Sequence, residues 1–473
     1  MVFNSIPFVI FLIVFFALWG FMNREDTRRW TFLVVMSFIF YGWWDWRFLF
    51  LVVGSGLIDY YAALAIVKWP NWRRTFFILS LAGNLGSLAF FKYYLFIATS
   101  LDYFFNWLGQ ETDFAKTAPG VTLAGVAGIS FYTFQSMSYT IDVYRRRLEP
   151  TKNVLQFFSF LVLFPQLVAG PIVRAKDLLT QLAQRRMSDA HQKWNGIKLF
   201  AYGLFQKTVL ADNIGVMVNR AYSPSNLEEG TLFWWLVVIG FGFQIYCDFS
   251  GYSLMARGIA KYMGYHLKIN FNHPYLSDRF KEFWSRWHIS LSTWFRDYVY
   301  IPMGGSKKGT AKALLFMSLT MIISGLWHGA WYTFLCWGAL HAIYLATERI
   351  LSVRKSPTDR FGLSKFGRIL LVFLCVNLAW NFFRADTFGQ AIEIYERLFS
   401  FRSGDAFFLL HFNALVFLIL AIIIEVAYAF YLYSGKIRMT FFKKSYDVVF
   451  CSVALVMSLF FRGPAAEFIY FQF

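Results

Sequence analysis

Apolar runs close to membrane-spanning length follow one another from Ile6 to the C-terminal region, punctuated by clusters of Lys and Arg. A bilayer core of about 30 Å takes roughly 17–25 apolar residues as a helix, so the pattern predicts an all-α polytopic membrane protein. The basic clusters run over Arg24–Arg29, Lys68–Arg74, Arg145–Lys152, Arg174–Lys193, Lys268–Lys312, Arg349–Arg368 and Lys436–Lys444. Loops on the cytoplasmic side collect Lys and Arg, so all of these are expected inside. The loops with Glu111 and Asp113, and with Glu228 and Glu229, are acid-rich and are expected outside.

Parity of crossing then places helices near 6–22, 31–43, 47–67, 75–91, 122–144, 196–219, 232–252, 312–326, 329–347, 369–383, 407–433 and 446–461. That gives about eleven to twelve spans in a single domain covering 1–473, with both termini outside. Thr75–Phe105 is long for one crossing and interrupted by Lys92, and is read as one broken span. Val154–Val173 lies between two basic clusters, is too short for two spans and holds Pro165, Gly170 and Pro171, which predicts a re-entrant hairpin. Irregular backbone at membrane depth persists where it is buried in protein or lines a wet cavity, so a cavity is expected on the cytoplasmic side. Ile6–Met22 precedes the first cation, Arg24, which is the reverse of a signal peptide and predicts an uncleaved anchor.

Composition supports this picture. Of 473 residues 58% are hydrophobic and 15% charged, which excludes a conventional soluble enzyme and a disordered chain. The formal charge of +18 reads as the loop bias of a polytopic protein, with no nucleic-acid partner. Aromatics make up 22%, suited to lipid-facing surfaces and interfacial belts. Cys247, Cys336, Cys375 and Cys451 are far apart and show no CxxC spacing, and there is no HExxH pattern, so neither disulfide nor metal is expected.

Two segments carry candidate chemistry. From Tyr262 to Gly305 the chain is cytoplasmic by charge yet crowded with aromatics, and Arg286, His288, Arg296 and Asp297 are interleaved with them. Such a stretch predicts helices lying in the membrane interface or folded back into the protein. Further on, Ala311–Thr347 reads as two short apolar helices joined at Ser324–Ala330, with both flanks basic and inside. At about 1.5 Å per residue the pair barely spans twice, which leaves His328 recessed below the outer surface. An ionisable group at that depth is either a functional residue or a hydrogen-bonded structural one. His191, His341 and His411 are read as structural, and Asp248 as an ion-pair partner.

The motifs Phe283–Tyr298, Gly325–Gly329, Gly128–Tyr132, Phe164–Pro171 and Tyr246–Tyr252, with the opening Met1–Ser5, resemble the membrane-bound O-acyltransferase superfamily. The similarity is to its bacterial branch of alginate O-acetylation and teichoic-acid D-alanine transfer proteins. The resemblance implies a helical ring around a thinned centre, a catalytic histidine at His328 and a second family histidine at His288. Contacts to the donor are assigned on the same basis to Arg296, Trp287 and Asn272, with pairing to Asp297 as the alternative for Arg296. It implies acetyl transfer from cytoplasmic acetyl-CoA, a substrate and not a bound cofactor, to an acceptor beyond the bacterial inner membrane. An SGNH-type transferase is the implied partner and a cell-envelope polysaccharide such as alginate the final acceptor. D-alanyl, peptidoglycan, lipid or protein acyl transfer, and a transporter or scramblase, are the competing readings.

Overall fold

The computed structural model describes residues 1–120, 126, 128–167, 170–223, 230–354, 364–403, 407–434, 443–466 and 468–469. Every regular element among them is helical. The acidic loop at Glu228 and Glu229, most of Lys436–Lys444 and the start of the helix expected from 122 fall outside the described residues. Among the described residues six helical stretches are long and apolar enough to cross a membrane, and Ile6–Met22 and Asp447–Phe460 are shorter apolar helices. The chain forms two compact units, Met1–Ile197 with Ala256–Lys268, and Lys198–Met255 with Ile269–Phe473.

In the first unit, Ile6–Met22 begins where the Ser5 hydroxyl accepts the Phe8 N–H at 3.3 Å, with Pro7 in the first turn. Phe8, Phe11, Phe15 and Trp19 point inward at helical spacing, while Ile6, Val9, Ile10 and Ile13 are exposed. A helix apolar on all sides is at home only against protein on one face and lipid on the other. The expected break at Lys92 is present, between Arg73–Phe91 and Tyr94–Trp107. The segment expected to re-enter is a helix, Val154–Leu161, a break, and a short helix, Phe164–Leu167. Phe157, Phe160, Val162, Leu163 and Phe164 are fully buried, and Gln135 and Gln166 donate to the Phe160 carbonyl at 2.9 and 2.7 Å. The broken backbone is thus enclosed and satisfied by side chains. Asp59, on Leu49–Lys68, is the polar centre of this unit: Ser80, Asn84, Ser136 and Thr140 all donate to its carboxylate.

The second unit holds the first candidate segment from Ile269 onward and the whole of the second. Thr231–Met263 extends well past the predicted end at 252, to 33 residues. The span expected over 196–219 is interrupted by a π-helical turn, Gln206–Ala211. From 274 to 303 short helices fold back into the protein, where Phe283, Trp287 and His288 are fully or almost fully buried.

Thr310–His328 and Tyr332–Arg354 pack at backbone distance because glycines face the partner helix. A Cβ on Gly325 would lie 2.3 Å from the Phe334 carbonyl oxygen, and one on Gly338 2.6 Å from that of Met321. Gly338→Ala is expected to force the helices apart at a cost of about 1–3 kcal/mol, read as a lower thermal unfolding midpoint in detergent. An unchanged midpoint would show that the helices yield without cost.

Candidate active site

His328 is the last residue of Thr310–His328, and its ring is 4% exposed. The rings of Trp327, Trp337 and Phe383 surround it, with centroids 4.9, 5.1 and 5.3 Å away. His288 is placed by a different device. It caps Ile289–Phe295 in the left-handed region, at φ 41, which a non-glycine residue adopts only when its surroundings hold it there. The holding group is Asn270: its carbonyl accepts the Ile289 N–H at 2.8 Å, and Asn272 N–H in turn reaches Arg286 O at 2.9 Å. The Asn270 side chain completes the clamp. Its Oδ1 accepts from Ser290 N, Ser290 Oγ and His288 Nδ1 at 3.2, 2.8 and 3.2 Å, while its Nδ2 donates to Ser253 Oγ at 3.1 Å.

This arrangement fixes the tautomer. An amide oxygen only accepts, so the proton sits on Nδ1 and Nε2 carries the lone pair. Burial pushes the His288 imidazole down to about 3, so it stays neutral. The two histidine ring centroids lie 6.4 Å apart, with Trp327 edge-on to both.

The pKa displacement has a stability consequence with a definite sign. An unfolded imidazole takes a proton near 6.5 and the buried one only near 3, so acid favours unfolding between those values. His288 alone contributes a loss of about 1.4 kcal/mol per pH unit through that window. Thermal midpoints measured across it are expected to fall less steeply in His288→Gln than in the wild type; equal slopes would refute the assignment. Asn270→Ala releases the ring and is expected to lower turnover by about ten- to a hundredfold with little change in KM. Unchanged turnover would show that the clamp does not matter to chemistry.

The other residues assigned from the resemblance are dispersed. Trp287 is fully buried and touched by Phe271, Tyr275, Phe283 and Trp380, so its ring is part of the aromatic wall. Arg296 lies in a π-helical turn, is 58% exposed and donates to Asp297 at 2.7 Å. Asn272 is exposed; the amide that reaches the histidine is Asn270.

Three features were not assigned from sequence. Lys207, in the π-helical turn, sits 2.7 Å from Asp212 and 3.0 Å from Asp248, all three nearly enclosed. Asp248 also accepts the Ile469 N–H at 2.8 Å, and Phe468 packs on Phe249, whose ring lies 4.5 Å from His288. The C-terminal segment is thereby strapped beside the site, helped by Gly463 N–H to Thr208 O at 2.8 Å and Asn213 Nδ2 to Phe461 O at 2.9 Å. Finally Glu425, buried in an apolar helix, accepts from Tyr246 at 3.0 Å and lies 3.0 Å from His273 Nδ1. A lone acid in the apolar run 407–433 was the available signal for Glu425.

Residues 143–384, which contain both histidines and Asn270, match the family model of the membrane-bound O-acyltransferases. The chain belongs to the membrane-bound O-acyltransferase family. It is 38% identical to the probable alginate O-acetylase of Pseudomonas putida over 410 residues, 86% of this chain and 81% of that protein. It is 34% identical to the peptidoglycan O-acetyltransferase of Helicobacter pylori over 394 residues, 76% and 72% of the two chains. The teichoic acid D-alanyltransferase of Streptococcus thermophilus is 30% identical over 238 residues, 47% of this chain and 57% of that one. This O-acyltransferase is therefore a multi-pass membrane enzyme, and its family segment ends at the end of Lys365–Arg384, the helix that brings Phe383 to His328.

Proposed function

We propose that this enzyme moves an acetyl group from cytoplasmic acetyl-CoA across the bacterial inner membrane to an SGNH-type transferase, for O-acetylation of an envelope glycan such as alginate. The observation that carries the reading is the pair of enclosed histidines, one at a helix end and one held by Asn270, in a single aromatic chamber. The similarity to acetyl-transferring relatives runs over 76–86% of the chain, against 47% for the D-alanyl relative, which favours acetyl. The basic clusters are read as the inner face, where they attract a polyanionic thioester; the N-terminus is read as outside.

In this mechanism His328 takes the proton of the acceptor hydroxyl as its oxygen attacks the acyl carbon. The carbon–oxygen bond forms, the carbon–sulfur bond breaks, and the imidazolium returns the proton to the departing CoA thiolate. His288, with its proton tied to Asn270, keeps the lone pair on Nε2, and its ring centroid lies 6.4 Å from that of His328. The aromatic walls exclude water, which strengthens each polar contact and suppresses hydrolysis of the thioester. Of the residues assigned to the donor, Trp287 forms part of this wall, while Arg296 pairs with Asp297 and Asn272 is exposed.

The test is release of CoA thiol by the purified protein reconstituted with an SGNH-type transferase. Release from acetyl-CoA that depends on the transferase, and not from palmitoyl-CoA, is expected. Turnover of a carrier-protein D-alanyl thioester without turnover of acetyl-CoA would overturn the reading.

A further inference from the structure

Glu425 has no part in the mechanism above, yet it is an acid only 5% exposed in the apolar run of Phe407–Ser434, beyond the family segment 143–384. A carboxylate is costly to bury in such a helix, so its partners indicate what it serves. Tyr246 donates to Oε1 at 3.0 Å, and His273 Nδ1 lies 3.0 Å from both carboxylate oxygens. An ionised carboxylate only accepts, which puts the imidazole proton on Nδ1, toward Glu425. Three residues further along the same helix, Tyr428 stacks on the His273 ring with centroids 3.5 Å apart and planes at 16°. One helix thus grips His273 by its edge and by its face.

His273 in turn ends the stretch of backbone that carries the clamp on His288. It stands at φ 47 before Pro274, and among the described residues it and His288 are two of four non-glycine residues in the left-handed region. Such a conformation persists where the surroundings hold it. Asn270 O accepts the Ile289 N–H and Asn272 N–H reaches Arg286 O, so residues 270–272 run beside 286–289 between the two turns. Asn270, whose amide oxygen meets His288 Nδ1, is three residues before His273. Tyr246 gives Glu425 a second connection to the same place. Its ring lies 6.1 Å from Phe271 and 6.2 Å from Trp287, which follow Asn270 and precede His288 in the chain.

We propose that Glu425 is a positioning residue for His288: through His273 and Tyr246 it fixes the 270–273 loop, and so the angle at which Asn270 meets the imidazole. This rests on the reading that the enclosed histidine pair carries the transfer. Glu425 acts on the loop and not on the reacting atoms, so its removal is read in turnover, and only while Asn270 is there to transmit it.

The experiment measures kcat and KM for acetyl-CoA on the full-length enzyme with its transferase, in Glu425→Leu, Glu425→Gln, Asn270→Ala and each Glu425 variant combined with Asn270→Ala. Glu425→Leu is expected to lower kcat by about tenfold with KM within about twofold, since a displaced His288 costs orientation and not donor binding. Glu425→Gln keeps the length and an accepting oxygen and is expected to recover most of the loss. Beside Asn270→Ala neither substitution is expected to lower kcat further by more than about twofold, because the route is already cut. If Glu425→Leu does not accumulate in the membrane, Tyr246→Phe, which removes one of the two contacts, takes its place. It is expected to lower kcat by about threefold, and not beside Asn270→Ala. Losses that multiply in the double variants would mean that Glu425 only supports the fold, and an unchanged kcat in the single ones that it supports nothing at the site; either overturns the positioning while leaving the histidine pair standing. Wild-type turnover in Asn270→Ala would remove His288 from the chemistry and the positioning with it.

Discussion

His328→Ala is expected to lower acyl transfer by at least about a thousandfold, the span of a lost general base, with the protein still folded and in the membrane. The prediction follows from position. His328 ends the helix that Gly325 and Gly338 bring to backbone contact with Tyr332–Arg354, and three aromatic rings set its orientation. The nearby His288 is a poor substitute as a base, since burial holds its imidazole down to about 3. Truncation leaves a cavity that costs about 1–3 kcal/mol, so inactivity accompanied by a near-normal unfolding midpoint separates a chemical role from a packing one. His328→Gln, which fills the space, is expected to be as inactive as the Ala variant. Activity within about tenfold of the wild type in either variant would remove His328 from the chemistry.

The largest stability effect is expected at Lys207. Its ammonium stands between Asp212 and Asp248, whose side chains are 3% and 4% exposed. Lys207→Met leaves two enclosed carboxylates with no cation, a loss of about 3–5 kcal/mol. The effect reaches the site, because Asp248 also holds Ile469 N–H and stands next to Phe249, which packs on His288. Replacing all three groups together, Lys207→Met with Asp212→Asn and Asp248→Asn, is expected to recover most of the midpoint, since a neutral set has no charge to bury. A Lys207→Met protein as stable as the wild type would show that the triad is not a working ion network.

The sequence made the helices legible because each apolar run is long, nearly uninterrupted and bounded by charge: Ile6–Met22 and the break at Lys92 stand where hydrophobicity alone puts them. Extents were less legible. Thr231–Met263 runs past the expected end because Arg257 and Lys261 continue the helix beyond the apolar stretch, and charge patterning takes such residues for a loop. The site was partly legible. His328 and His288 stood out as ionisable groups in aromatic, apolar surroundings, and Asp248 as a paired acid. What could not be read was who holds them. Asn270 and Asn272 are both asparagines in one motif, and only the folded backbone, with His288 at φ 41, decides that Asn270 faces the ring. Likewise Lys207 joins Asp248 and the C-terminal segment through a π-helical turn, an irregularity with no period to detect.

The central claim is that acetyl crosses the membrane through the paired histidines, and sealed vesicles test it most directly. Labelled acetyl-CoA is supplied only at the face bearing the basic clusters, with an SGNH-type transferase enclosed on the other. The account predicts label on the enclosed transferase with wild-type enzyme and none with His328→Ala. Label that appears equally with His328→Ala, or a wild type that labels only acceptors on the side of the donor, would contradict it.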